Sequence, residues 1–195
     1  MNFNAANVLT SMRLVLTPFF LFAFVADRKE IALIIFCVAG FTDLIDGSVA
    51  RLLNQPSKQG ALLDPIADKF LMQSCFISLA VAGFLPIWFL LLAFCRDTMI
   101  IIGIIYLERI KAKLPYRPTW VSKFATLFQL AVAIFGLLRW WRPEFEFFGF
   151  SIVTWQVWTM FIAAFLIAVS GTQYVSLGVD ILRNHNNGSD EDVKL

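Results

Sequence analysis

The chain has 195 residues, of which 59% are hydrophobic and 15% charged, with 21 Phe and 6 Trp. Soluble domains carry about a quarter of charged residues, so this composition excludes a water-soluble globular protein and points to an all-α, polytopic membrane protein. The net charge of +2 is too small for a nucleic-acid-binding surface, and the basic residues fall in short connections between apolar stretches.

Apolar stretches of about 20 residues, enough to cross a bilayer, predict six helices at about 6–26, 31–53, 61–84, 86–107, 121–141 and 150–177. The opening MNFNAANVLTSMRL has no basic region ahead of its apolar run, so it reads as a retained first helix and not as a cleaved signal peptide. Helix-breaking residues mark the joins: Asn54 to Ser57 after the second span, Gly83 and Pro86 after the third, Pro115 and Pro118 before the fifth, and Pro143 after it. Residues 1–183 form one membrane domain with no internal repeat, and 184–195, NHNNGSDEDVKL, read as a disordered cytoplasmic tail. Cys37, Cys75 and Cys95 stand alone in apolar stretches and are expected as small buried hydrophobes. Trp140, Trp141, Trp155 and Trp158 are expected to form an interfacial belt.

With the N-terminus inside, Arg51, Lys58, Arg109, Lys111, Lys113, Arg117, Lys123, Arg183 and Lys194 are cytoplasmic, nine against four for Arg28, Lys29, Arg139 and Arg142. Both termini are therefore expected in the cytoplasm. In that topology Asn7, Thr10 and Arg13 of the first span, Asp43 and Asp46 of the second, Asp64 and Asp68 of the third, Lys123, Thr126 and Gln129 of the fifth and Thr172 and Gln173 of the sixth converge on the cytoplasmic half. Arg96 and Asp97 alone are expected near mid-membrane; they point about 100° apart, so each either bonds a neighbouring helix as scaffold or helps to line a pocket. A hydrated cavity open to the cytoplasm is the simplest way to accommodate these groups.

Four aspartates beside apolar spans need an explanation, since each opposes insertion by roughly 2.5–3.5 kcal/mol at a helix centre and less near the interface. Asp43 and Asp46 are three apart and Asp64 and Asp68 four apart, so each pair shares a helix face. With no His or Cys nearby, the donors are hard oxygens that suit Mg²⁺ or Mn²⁺, and two such ions would balance four carboxylates. Gly47 and Ala50 leave a groove along the acidic face, Arg51 offers a planar fork to a phosphate, and Gly60 clears a close approach. The bland alternative is a structural network of the aspartates with Arg51, Lys69 and Arg13, which supplies too few cations for four acids.

The arrangement Asp43-x2-Asp46-Gly47-x2-Ala50-Arg51-x8-Gly60-x3-Asp64-x3-Asp68 resembles the signature of the CDP-alcohol phosphotransferases, with eight fixed positions matched across 26 residues. The resemblance implies that family's fold of six membrane helices, a homodimer, and a di-metal site facing the cytoplasm, in a bacterial inner membrane. It implies transfer of a phosphatidyl group from CDP-diacylglycerol to an alcohol with release of CMP. By the same pattern Asp43, Asp46, Asp64 and Asp68 would hold two Mg²⁺ or Mn²⁺ ions, and Asp68 would take the proton of the attacking hydroxyl. Gly47, Ala50, Arg51, Ser57 and Gly60 would line the donor site, which Asn7 and Thr10 would close.

For the acceptor, the segment from Pro118 to Gln129 resembles the Ser/Gly-Lys-x2-Thr-x2-Gln stretch of phosphatidylglycerophosphate synthases and CMP-forming cardiolipin synthases. Lys123 with Arg96, Arg13 and Gln129 would form a pocket for glycerol 3-phosphate, the preferred acceptor, with phosphatidylglycerol as the alternative. Arg96-Asp97 departs from the Arg-Glu typical of the bacterial phosphatidylglycerophosphate synthases and leans toward the cardiolipin branch. A cation transporter using the aspartates is the reading from another class. Such sites sit at mid-membrane between repeats, and neither feature is seen here. Hydrolysis of the donor by water stays open as a side reaction.

Overall fold

The structure, a computed structural model, describes residues 5–40, 60–109 and 119–186. Helix α1 runs Ala5–Val25 and ends where Asp27 takes a left-handed conformation with φ 55°. Asp27 N donates to Phe24 O and Arg28 N to Ala23 O, the paired bonds of a Schellman cap, with aspartate in the place glycine usually takes. Residues 29–40 form α2 as far as it is described. Helix α3, Gly60–Val81, closes with the same pair of bonds around Gly83, φ 79°. Pro86 then opens α4, Ile87–Arg109, its carbonyl accepting from Phe89 and Leu90.

Helix α5, Trp120–Trp141, is capped by the Thr119 hydroxyl, which accepts from Ser122 N at 3.2 Å. Pro143 follows its last turn. A hairpin comes next, β1 Glu146–Phe147 pairing antiparallel with β2 Phe150–Ser151 around Phe148 and Gly149, both at positive φ. Helix α6, Ile152–Asn186, completes the chain, with the Ser151 hydroxyl accepting from Thr154 N at its start. Its 35 residues extend about 52 Å at 1.5 Å per residue, well past a hydrocarbon core of about 30 Å. The sixth helix is thus longer than expected and includes the first residues assigned to the tail, while 187–195 lie outside the described residues.

The core is a stack of aromatic and aliphatic side chains from every helix. Phe20 of α1 meets Phe36 of α2 at 6.0 Å, and Phe76 of α3 packs edge-on against Phe89 of α4 at 5.6 Å. Leu79, Val132, Leu137 and Ile167 fill the space between α3, α5 and α6. At the hairpin end, Gln156 donates to Phe84 O at 2.6 Å and accepts from Arg139 at 3.1 Å, tying α6, the α3–α4 turn and α5 together.

Two expectations are corrected here. Trp140 is not part of a lipid-facing belt: it is buried and stacks on Phe24 at 4.2 Å, with the Lys29 ammonium 5.4 Å from its ring. Helix packing claims it because α1 and α5 meet at that level; Trp158 is exposed as expected. Of the cysteines only Cys75 is buried; Cys37 and Cys95 face outward from α2 and α4.

Away from the core each helix shows apolar side chains outward, among them Phe22, Ile34, Ile77, Leu91 and Phe165. Among the described residues, Trp120–Trp141 and Ile152–Val179 are long and apolar enough to cross a membrane, and Leu14–Val25 and Lys69–Val81 are shorter apolar stretches.

Candidate active site

The aspartate motif begins outside the described residues: Asp43, Asp46, Gly47, Ala50, Arg51 and Ser57 all fall there. The backbone of α3 carries Gly60, Asp64 and Asp68 in its first three turns, with Asp64 and Asp68 one turn apart on a shared face. Asn7, Thr10 and Arg13 lie in the first half of α1, and α1 packs along α3. The fold therefore brings the first-helix residues and the second half of the motif onto neighbouring helices. Among the described residues no three potential ligand side chains cluster.

One residue beyond Asp68, and about 100° around α3, a polar network begins. The Lys69 ammonium lies 3.0 Å from Asp97 Oδ1 and Gln73 Nε2 donates to Asp97 Oδ2 at 3.2 Å. Arg96 Nη1 donates to the same Asp97 Oδ1 at 2.8 Å, and its Nη2 reaches Ser122 of α5 at 2.5 Å and Ser170 of α6 at 3.2 Å. Arg96 and Asp97 are only 5% and 4% exposed. Lys69 and Arg96 thus both face the Asp97 carboxylate, Arg96 fully buried and Lys69 partly exposed. Among the described residues, four buried polar atoms have no partner: Arg96 Nε, Gln73 Oε1 and both amide atoms of Gln129. Leaving such atoms unpaired costs about 1–3 kcal/mol each, a cost tolerated where a ligand completes the bonding.

The network does not lie midway along the bundle, where the expected spans would put it. Ser122 lies 19 residues before the end of α5 and Ser170 18 residues into α6, so both stand about 27–28 Å from the hairpin end. Helix α4 reaches that depth because it starts low: Trp88 meets Phe161, nine residues into α6, with ring centroids 6.2 Å apart. Counting each span from a common surface misplaced it. Asp97 does bond α3 and Arg96 α5 and α6, and the two also bond each other.

Of the four residues expected in an acceptor pocket, Arg96 and Gln129 are buried, and Gln129 stands two turns along α5 from Ser122 on the same face. Lys123 is exposed, with its ammonium 4.7 Å from the ring of Trp120, and does not join the network. Gln73 and Ser170 were not singled out by sequence, and Lys69 and Ser122 only as a structural partner of the aspartates and as the first position of the Ser/Gly-Lys-x2-Thr-x2-Gln segment. The i, i+4 spacing of Lys69 and Gln73 was the one visible signal.

A helical bundle with apolar side chains turned outward, carrying Asp64 and Asp68 one turn apart on α3, is in keeping with what the resemblance to the CDP-alcohol phosphotransferases implies. Comparison with known proteins agrees: the family profile described as CDP-alcohol phosphatidyltransferase matches residues 3–170, and the chain belongs to that family. It is similar to the human protein named cardiolipin synthase (CMP-forming), 31% identical over 188 residues, covering 88% of this chain and 60% of the relative. It is also similar to the CDP-diacylglycerol–glycerol-3-phosphate 3-phosphatidyltransferase of Escherichia coli strain K12, 34% identical over 184 residues, covering 90% of this chain and 95% of the relative. A fission-yeast cardiolipin synthase fused to a mitochondrial hydrolase is 34% identical over 151 residues, 25% of its length. The chain thus spans 60% of the human relative and 25% of the fission-yeast one.

Proposed function

We propose that this protein is a phospholipid-synthesising enzyme that transfers a phosphatidyl group from CDP-diacylglycerol to a glycerol-bearing phosphate compound and releases CMP. The family match across the aspartate motif carries the reading, and Lys69, one residue past the motif's end on α3 and joined through Asp97 to the buried Arg96 of α4, supports it. Arg51, Gly47, Ala50, Ser57 and Gly60 bind the cytidine diphosphate, with Asn7 and Thr10 across from them. Asp43, Asp46, Asp64 and Asp68 would hold two Mg²⁺ or Mn²⁺ ions, which when bound neutralise the diphosphate and the leaving CMP. Asp68 accepts the proton of the acceptor hydroxyl as its oxygen bonds to the phosphatidyl phosphorus and the bond to CMP breaks.

On this reading the protein is a homodimer of six-span subunits in a bacterial inner membrane, with its active site facing the cytoplasm. Glycerol 3-phosphate is the acceptor suggested by the segment from Lys123 to Gln129, with Arg13 and Arg96 completing the pocket. Phosphatidylglycerol is the second reading, favoured by the outward position of Lys123 over Trp120, which removes one cation from a pocket for a small dianion. The test is CMP release by purified protein in lipid vesicles containing CDP-diacylglycerol and Mg²⁺, with each acceptor, with none, and with EDTA. Release that needs both metal and an acceptor supports the transfer; none with any acceptor, in folded protein, overturns it.

A further inference from the structure

The hairpin between α5 and α6 has one apolar and one polar face. Phe147 pairs with Phe150, and Phe145 O accepts from Ile152 N, while Glu146 pairs with Ser151 between them. Side chains alternate along a strand, so Phe145, Phe147 and Phe150 share one face and Glu146 stands on the other. The apolar face folds down onto the bundle. Trp155, in the first turn of α6, meets Phe147 at 6.1 Å and Phe150 at 6.3 Å, and stacks on Phe135 of α5 at 6.1 Å. Its Nε1 also donates to Phe147 O at 2.9 Å, which ties the hairpin to that turn. The bundle nevertheless covers only part of this face, since the three phenylalanines remain 44–58% exposed.

An aromatic patch of this kind marks a contact surface, and its position says what covers it. Directly below the hairpin, α6 turns Val153, Val157, Phe161 and Phe165 outward at a spacing of four, so the apolar face of the hairpin continues into one stripe down the flank. Such a stripe is what a spanning helix shows to lipid. Arg142, three residues before Phe145, lies over Trp141 at 5.0 Å, a pair suited to the level where hydrocarbon gives way to headgroups. From Lys123 to Arg142 the chain rises about 28 Å, close to a hydrocarbon core of about 30 Å. The sheet limits the depth from the other side: its two strands leave two open edges, whose backbone groups hydrocarbon cannot satisfy. Charge offers no handle, because residues 27–30 and 139–146 carry four basic and four acidic side chains.

We propose that the hairpin is an interfacial anchor: it lies flat in the headgroup layer of the leaflet at its end of the bundle, with Phe145, Phe147 and Phe150 against the acyl boundary and Glu146 turned to water. Phe148, at the turn, stands at the hydrated rim, within reach of aqueous reagents. The partner is the lipid surface itself, held through the rings and independent of headgroup charge. This seat decides where α6 carries its surplus length. Its apolar part, Ile152–Val179, has 28 residues and extends about 42 Å, some 12 Å beyond the hydrocarbon core. With the hairpin held at the boundary, the excess emerges at the opposite end, past Ser170. The proposal does not depend on the phosphatidyl-transfer reading and holds for either orientation in the membrane.

The test uses the full chain with Cys37, Cys75 and Cys95 replaced by Ser and one nitroxide-labelled cysteine, placed by Glu146→Cys, Phe150→Cys or Phe145→Cys. Phe145→Cys leaves the ring cluster on Trp155 intact and serves if Phe150→Cys loosens the hairpin. In phosphatidylcholine vesicles, with and without phosphatidylglycerol, collision of each label with oxygen, which concentrates in lipid, is compared with collision with a water-soluble nickel chelate. The expected oxygen-to-nickel ratio is several-fold higher at 145 and 150 than at 146, in both kinds of vesicle. Equal, nickel-favoured ratios at all three positions overturn the proposal and put the hairpin in water. Low collision with both reagents at 145 and 150 also overturns it, because protein then covers the face; spin–spin broadening that disappears on dilution with unlabelled chain identifies that protein as a second copy. Lipid contact seen only with phosphatidylglycerol overturns a seat held by the rings and assigns it to charge.

Discussion

Asp97 accepts from Lys69, Gln73 and Arg96, so its carboxylate holds together one end of a network that also reaches α5 and α6. Removing one partner of a buried pair strands the other charge, which costs about 3–5 kcal/mol. Asp97→Ala is therefore expected to lower the thermal unfolding midpoint sharply in detergent, and Asp97→Asn less, because the amide still offers one acceptor. Gln129 presents the opposite case: it is fully buried, and neither amide atom has a partner. Gln129→Leu removes an unsatisfied group at nearly constant volume and should raise stability by about 1–3 kcal/mol. If the amide exists to bind the acceptor, the same substitution raises the acceptor KM. A more stable variant with unchanged KM would assign Gln129 to packing alone.

At the scale of elements, the approach of α3 to α5 depends on Gly136, where an added Cβ would lie 2.7 Å from Leu79 Cδ1 and 3.3 Å from Gln156 Nε2. The end of Leu79 can swing aside for a methyl group, so Gly136→Ala should be mild. Gly136→Leu must push the helices apart and disturb the bond from Gln156 to Phe84 O, an overpacking cost of about 1–3 kcal/mol. Thermal unfolding of the two variants side by side checks the difference. Such local features explain which elements were legible in sequence. Gly83, Pro86, Pro118 and Pro143 act on their own backbone, and the helix ends at those joins fall within a few residues of where they were expected. The hairpin was missed because the residues between the fifth span, ending at 141, and the sixth, opening at 150, read only as a connection; the Phe148-Gly149 turn was its local signal. The depth of α4, the burial of Trp140 and the bond from Arg96 to Ser170 depend on how helices pack, which spacing within one helix does not encode. The motif was legible for the opposite reason: Asp64 and Asp68 need only the period of their own helix to share a face.

For the molecule as a whole, the distribution of charge assigns its ends. Lys29, Arg139 and Arg142 sit at the hairpin end, where Lys29 and Arg142 lie over Trp140 and Trp141 and Arg139 over Phe84. Lys123, in the first turn of α5, marks the opposite end, the level at which Arg96 meets Ser122 and Ser170. If the positive-inside bias sets orientation, the hairpin is outside and the aspartate end of α3 inside. Labelling with a membrane-impermeant maleimide decides this. Cys37, Cys75 and Cys95 are first replaced by Ser, and a single cysteine is then placed at Phe148, 81% exposed at the hairpin tip, or at Lys194 in the tail. Phe148→Cys should label in intact spheroplasts and Lys194→Cys only after permeabilisation. The reverse pattern would put the aspartates and the Arg96 network on the outer face, away from cytoplasmic nucleotide, and a transfer that consumes a CDP-lipid and releases CMP inside the cell could not be this protein's reaction.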